Sequence, residues 1–294
     1  MLHIEAGDVV RVLSRQSPED ARLQGCHLYP ADLTVKDCDL HSFVDNADVL
    51  YHCAGDVSDA SRMRALHVDG TRRLLEAASG AIGHWVQLSS VGVYGPRRAG
   101  TITESEVERP EGPYETTKAA ADSAVMRAGI SYSVLRPSIV FGAKMPNTSL
   151  RQMMRLINRG LFFYVGEPGS SANYIHVNNV VHALHLCGNE EASAGRVYNL
   201  SDWRTMESFV GTIASDLGRR APSLRAPENL VRLAARSIGR VPGVPLSQTR
   251  VDALTNRSTY DTGRIQRELG FATITTMEDG LRDVVMDWRR TRLR

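Results

Sequence analysis

Short apolar runs alternate with amphipathic stretches through the first half of the chain. Val9–Leu13, Ala47–Cys53, His84–Leu88 and Ser131–Leu135 are rich in Val, Leu and aromatic residues and read as strands. Thr71–Ala78 and Tyr114–Arg127 carry helical spacing and are closed by Gly80 and Gly129. Strands alternating with helices in this way predict an α/β fold built on a parallel sheet. Ala47–Cys53 ends on Ala54-Gly55, where small residues let a ligand approach the backbone closely. His84–Leu88 delivers Ser89 and Ser90, and Ser131–Leu135 leads into Arg136-Pro137. Open parallel sheets bind ligands beyond the strand C-termini, so one crevice is expected to gather Ala54, Gly55, Ser90 and Pro137.

After Gly142 the alternation weakens. Ser149–Arg159 predicts an amphipathic helix, and the stretch Arg219–Pro245, rich in Arg, Pro and Gly, predicts a smaller lobe. Thr276-Met-Glu-Asp279 is a capping box, after which Leu281, Val284, Val285 and Trp288 line one helix face. That face is read as core packing.

Composition narrows the class. The chain has 294 residues, 42% of them hydrophobic and 23% charged, as in soluble globular proteins. A net charge of +2 argues against a dedicated nucleic-acid or membrane-surface binder. No stretch approaches the ~20 apolar residues of a membrane span, and the short polar N-terminus has no signal-peptide pattern. A cytoplasmic protein with a small-molecule substrate, and with neither nucleic acid nor membrane as partner, is expected. Cys26, Cys38, Cys53 and Cys187 are scattered without a Cys-x-x-Cys. Free thiols in a reducing compartment follow, and no metal site is expected.

Candidate chemistry centres on Tyr114 and Lys118 in Pro113-Tyr-Glu-Thr-Thr-Lys118, with Ser90 upstream. The four-residue spacing puts both on one helix face. A tyrosine alone is a weak base, with a reference pKa of about 10. A fixed ammonium one turn away favours the phenolate, and a shift of ~3 units corresponds to roughly 4 kcal/mol. A serine hydroxyl can hold the substrate oxygen while its proton moves. Of 35 basic residues only Lys36, Lys118 and Lys144 are lysines. A lysine at this place points to a need for a compact, titratable cation.

Taken in order, these segments resemble the extended short-chain dehydrogenase/reductases, the NAD-dependent epimerase/dehydratase family. That group includes nucleotide-sugar epimerases and dehydratases and the 3β-hydroxysteroid dehydrogenases. The resemblance rests on Tyr51-His-Cys-Ala-Gly55, Gly70-Thr-Arg-Arg-Leu-Leu-Glu-Ala-Ala78, Leu88-Ser-Ser-Val-Gly-Val-Tyr-Gly95, Pro113-Tyr-Glu-Thr-Thr-Lys118, Leu135-Arg-Pro-Ser-Ile-Val-Phe-Gly142 and Tyr174-Ile-His-Val177. It implies a Rossmann-like, doubly wound parallel sheet with a smaller C-terminal substrate lobe. Residues 1–142 would be the NAD(P)-binding domain and 143–294 mainly the lobe, with about 173–200 returning to the first domain.

The resemblance also implies roles. Tyr114 would be the acid/base, Lys118 would lower its pKa and hold the nicotinamide ribose, and Ser90 would orient the substrate oxygen. Asp32-Leu33 would contact adenine, Ala54 and Gly55 would lie along the cofactor, and Pro137 would border the nicotinamide. The expected cofactor is NADP or NAD. The strand before Arg15 ends in Ser14-Arg15 with no acid, and an arginine there suits the 2′-phosphate of NADP, so NADP is favoured. A homodimer through the helices around Thr71 and Tyr114 is a further implication.

Departures from the family pattern shape the expectation. The family opens with a strand, a glycine-rich turn and a helix. This chain begins at what reads as the end of that helix, Leu2-His-Ile-Glu-Ala-Gly7, so the first strand and the turn that holds the pyrophosphate are expected to be missing. A shortened version of a complete enzyme is the favoured reading. A remnant that has become a non-catalytic binding protein is the alternative. The substrate expected is a secondary alcohol or ketone of a nucleotide sugar. Ala172 and Asn173 stand where such enzymes often have a phosphate-gripping arginine, and Ile238-Gly-Arg240 does not match their later arginine segment. These absences favour an apolar 3β-hydroxysteroid-like alcohol as second choice. His67 replaces a typical asparagine and is read as structural, and His176 is read as a packed interior histidine.

Overall fold

The computed structural model describes residues 2–15, 23–145, 148–238 and 247–292. Part of the Arg219–Pro245 stretch, and Gly239 and Arg240 of the Ile238-Gly-Arg240 segment, lie outside the described residues. The central element is a four-stranded parallel sheet in the order Arg196–Leu200, Tyr132–Pro137, Ile82–Leu88, Ala47–His52. Trp85 and Val86 are both fully buried but on opposite faces, as the two-residue strand period requires. Trp85 packs with Leu33, Leu50, Leu74, Leu75 and Val125 under the helices of one face. Val86 packs with Leu135, Val180, Ala183, Tyr198 and Ile265 on the other. Burial on both faces explains why these strands read as near-continuous apolar runs. The fold is therefore a Rossmann-like α/β fold with a parallel sheet.

A second parallel ladder joins Arg11–Ser14 to His27–Pro30, with Val12 opposite Leu28. Among the described residues no backbone ladder links this pair to Ala47–His52. Side chains make the connection instead. Arg11 Nη1 donates to the carbonyls of Phe43 at 3.1 Å and Asp45 at 2.6 Å. His3 Nε2 and Tyr51 Oη lie 2.9 Å apart.

The helix expected over Thr71–Ala78 starts earlier. Asp59 caps it by accepting from the Ser61 N–H at 2.9 Å. It runs Ala60–Met63, widens into a π-helical stretch over Arg64–Gly70, and continues as Thr71–Ala78. The polar run Ser61-Arg-Met-Arg64 hides this start from a periodicity reading. Pro113–Met126 forms the next helix, with Pro at its first position, where the missing N–H costs nothing.

The second half builds a separate core from Phe141, Tyr174, Phe209, Ile213, Leu281 and Trp288, where the Tyr174 and Phe209 rings stack at 4.5 Å. Ser171–His176 lies parallel to Ile139–Phe141 and antiparallel to Asp202–Thr205. The capping box of the last helix, Met277–Arg292, is reciprocal. Asp279 N–H donates to Thr276 Oγ1 at 3.1 Å, and that hydroxyl donates to Asp279 Oδ2 at 2.7 Å. Leu281, Val284, Val285 and Trp288 are all buried beneath it. His176 is buried, accepts from the Asn178 N–H and packs edge-on against Phe141, so it is a packed interior residue.

Candidate active site

The C-terminal ends of the parallel strands deliver His52, Leu88 and Pro137 to one edge, and the residues that follow line a crevice. Ser89 and Ser90 diverge as successive strand residues must. Ser89 Oγ turns inward and donates to Asp122 Oδ2 at 2.7 Å. Ser90 faces the crevice in extended backbone and caps the turn Val91–Tyr94 by accepting from the Gly92 N–H at 3.1 Å. Its hydroxyl is also near enough to the Tyr114 phenol to act on the phenol's pKa.

Tyr114 and Lys118 share one face of the Pro113–Met126 helix. Lys118 is 4% exposed and donates from Nζ to the Leu88 carbonyl at 2.6 Å. Burial pushes its pKa down, while Asp122 and Cys53 oppose the shift. Burial pushes the Tyr114 pKa above its ordinary value and the Glu115 carboxylate adds to this, while the nearby Ser90 hydroxyl acts the other way.

Beneath the site lies a buried charge network. Arg136 is 2% exposed and Asp122 fully buried. The guanidinium donates to Asp122 Oδ2 at 3.1 and 3.3 Å, to Tyr94 Oη at 3.1 Å and to Glu108. Tyr94 Oη donates on to Asn199 Oδ1 at 2.8 Å. Burial pushes the Asp122 pKa up, against the pull of Arg136 and Ser89. Asp122 thus joins Ser89, one residue from Ser90, to the helix that carries Lys118. Its place four residues after Lys118 was the sequence signal that could have revealed it.

At the other end of the crevice Asp32 accepts from the Thr34 N–H and hydroxyl, both at 2.8 Å, and these bonds hold its carboxyl below the usual range. Arg62 approaches Asp32 to 3.5 Å and Arg15 to 3.9 Å. Leu33 points into the core, 5% exposed, and its carbonyl accepts from Arg73. Pro137 is buried at its strand end, and Gly55 is exposed. A Cβ on Gly55 would stand 3.5 Å from His67 Nε2 and 4.0 Å from Lys118 Nζ. The absence of a side chain leaves this floor open to a flat group.

Between the two halves a cavity of about 530 Å³ is lined by Gly95, Arg97, Arg98, Glu111, Asp252 and Tyr260, among others. Glu111 lies just before the Pro113–Met126 helix and Gly95 just after the Ser90-capped turn. Among the described residues no cluster of His, Cys, Asp and Glu is arranged to hold a metal ion. No helix among them is long and apolar enough to cross a membrane.

The profile of the NAD dependent epimerase/dehydratase family matches residues 2–201. The chain belongs to this family. It is 28% identical over 251 residues to a dTDP-glucose 4,6-dehydratase of Streptomyces griseus, covering 82% of this chain and 70% of that one. It is 24% identical to a 3beta-hydroxysteroid-dehydrogenase/decarboxylase of Arabidopsis thaliana, covering 97% and 73%. In three dimensions it is similar to MoeE5 solved with UDP-glucose and NAD, with a TM-score of 0.74 at 22% identity, covering 100% of this chain and 94% of that one. That identity speaks for the fold alone. Several solved family structures of similar fold contain NAD.

Sequence reasoning missed Glu115, Asp122 and Arg136, and read His67 as structural without its contact to Tyr114. Glu115 sits in a notch left by two glycines, since a Cβ on Gly92 would lie 2.9 Å from its Cγ and one on Gly112 2.1 Å from its Oε2. Asp122 and Arg136 form the floor. His67 lies edge-on to the phenol ring, with ring centres 5.7 Å apart.

Proposed function

We propose that this chain is an NAD(P)-dependent enzyme acting on a secondary alcohol or ketone of a nucleotide sugar, with Tyr114 as acid/base, Ser90 as orienting hydroxyl and Lys118 as supporting cation. The observation that carries the reading is the buried Lys118, bound to the Leu88 carbonyl at the strand end that leads into Ser90, one helical turn from Tyr114. A substrate oxygen held there can accept from the serine hydroxyl and exchange a proton with the phenol.

The residues present fit a nicotinamide dinucleotide. Asp32, Arg15 and Arg62 offer an acceptor and two cations for the adenosine end, and the open floor at Gly55 lies beside Lys118 for the other. Arg15 is 59% exposed on its side chain, free enough to turn from Asp32 toward a 2′-phosphate, which supports NADP over NAD. When bound, the nicotinamide exchanges a hydride with the substrate carbon. The protein's own part is to hold the hydroxyl and to move its proton. Burial and Glu115 push the Tyr114 pKa up, and the proton it holds is the one proposed to pass to or from the substrate oxygen.

The similarity to a dTDP-glucose dehydratase supports a nucleotide-sugar substrate. A second reading, a 3β-hydroxysteroid-like alcohol, draws on the Arabidopsis relative and on the segment before Tyr174. There Ala172 is buried and Asn173 donates to the Ser258 carbonyl, so neither offers a cation to a diphosphate. The outer residues Arg72, Glu76 and Thr116 belong to the two helices proposed as a homodimer surface.

The test is a titration of the purified chain with NADPH and NADH by fluorescence, followed by turnover assays with dTDP- and UDP-glucose. Tighter binding of NADPH and nucleotide-sugar turnover are expected. Binding of neither cofactor at millimolar concentration would leave the non-catalytic binding protein as the better account. Tyr114→Phe should lower turnover by roughly 10²- to 10⁴-fold, and retained activity would remove Tyr114 as the acid/base.

A further inference from the structure

We infer that His67 is a positioning residue of this site: as its Nδ1–H tautomer it fastens the loop after strand Ala47–His52 to the first turn of the catalytic helix and fixes the plane of the Tyr114 ring. The inference rests on the reading of Tyr114 as the acid/base.

The tautomer follows from the partners. His67 is 1% exposed, and its Nε2 receives the backbone N–H of Asp56 at 2.9 Å. A backbone N–H can only donate, so Nε2 carries no hydrogen and the ring proton must sit on Nδ1. That nitrogen faces Thr117 Oγ1 at 2.8 Å. The Thr117 hydrogen is directed to the helix carbonyls of Pro113 at 2.8 Å and Tyr114 at 3.0 Å. Each polar atom in the chain Asp56–His67–Thr117–Tyr114 therefore has one consistent role. The imidazole also meets the phenol ring at 82°, edge to face, and such a contact restricts the ring's tilt.

The backbone is shaped to deliver this side chain. His67 lies within the π-helical stretch Arg64–Gly70, whose wider turns shift its register relative to an α-helix. The stretch closes on Gly70, where a Cβ would stand 2.9 Å from the Leu33 carbonyl. A side chain at that position would push the helix away from the Leu33 turn and take His67 with it. The groups facing the imidazole are Asp56, Thr117, Tyr114 and, within electrostatic range, Lys118. Burial, with Lys118 adding, pushes its pKa down to about 4, so the neutral ring persists at physiological pH. The consequence is a mechanical link between the loop that borders the proposed cofactor floor and the phenol that would move the proton.

Two variants separate the ring from its hydrogen bonds. His67→Gln keeps an acceptor for Asp56 and a donor for Thr117, whereas His67→Phe keeps only a ring. Tyr114 is followed through its ¹³Cζ signal, assigned by its loss in Tyr114→Phe, and Asp56 through amide exchange. In His67→Phe the Asp56 amide should exchange about tenfold faster or more, and the Tyr114 titration midpoint should move by about half a pH unit or more. In His67→Gln both should stay near the parent values. Long-range ¹H–¹⁵N spectra of the parent should show Nε2 as the unprotonated nitrogen. A parent Nε2–H tautomer, or a His67→Phe protein with unchanged Asp56 exchange and Tyr114 midpoint, would overturn the inference. None of these readouts needs turnover, so a failure of the proposed enzyme activity would be seen separately.

Discussion

At the scale of single residues, the site is governed by burial more than by the charges one would pair on paper. Asp122 shows this best. It is fully buried, and removing its carboxylate leaves the Arg136 guanidinium without its main partner in a low-dielectric interior. Breaking one side of a buried pair costs about 3–5 kcal/mol. Asp122→Ala is therefore expected to lower the urea-unfolding free energy by that order, and Asp122→Ala with Arg136→Met to lower it less. The buried histidines set a pH dependence. His52 is pushed down to about 3 by burial, and His67 to about 4. Both lie below the ordinary value of 6.5, so the unfolded chain takes up protons that the folded one refuses. Stability from these groups is complete above about pH 6.5 and is lost as pH falls toward 4 and 3. Each contributes roughly 2–3 kcal/mol of loss by pH 4.5. Unfolding midpoints at pH 7.5 and 4.5 check this, and His67→Gln should reduce the difference between them.

At the scale of elements, turns decide where the chemistry lands. Gly95 ends the Ser90-capped turn with φ 73°, and a Cβ there would meet the Arg109 carbonyl at 2.0 Å. Gly95→Ala should lower the melting temperature and weaken the Ser90–Tyr114 contact, whereas a change at Gly100, which has open space around it, should cost only backbone strain. Thr276→Ala should remove about 1 kcal/mol by opening the capping box of the last helix, measurable by thermal unfolding. The strands Ala47–His52, Ile82–Leu88 and Tyr132–Pro137 were legible because burial on both faces enforces unbroken apolar runs. The capping box was legible because its two side chains bond each other locally. The start of the Ala60–Ala78 helix was not, since its first turns are polar and one stretch is π-helical. Glu115 and Asp122 escaped for a related reason, and His67 was read as structural without its partners: their surroundings come from what the chain folds against them, which spacing alone does not encode.

At the scale of the whole molecule, one buried cluster lies on each face of the central sheet, around Trp85 and around Val86, and another gathers Phe141, Tyr174 and Trp288. The cavity lined by Arg97, Arg98, Glu111 and Asp252 draws on both halves of the chain, so motions of one half against the other would change its width. Hydrogen exchange should follow the ladders. Amides of Ile82–Leu88 and Tyr132–Pro137, paired on both sides, are expected to exchange slowest, and those of Arg11–Ser14 and His27–Pro30 fastest among the parallel strands, as measured by mass spectrometry. Reversal of that order would contradict the division of the sheet. The side-chain fastening of the first ladder carries a mechanical consequence. Pulled from the amino terminus, it resists with a few separable contacts: the bonds from Arg11 and His3, the packing of Leu13 and the Tyr29–Phe43 ring pair. A backbone ladder would share the load across many bonds at once. Under an optical trap this part should yield first and at low force, in a small reversible step, while the strands that present Ser90 and Tyr114 remain intact.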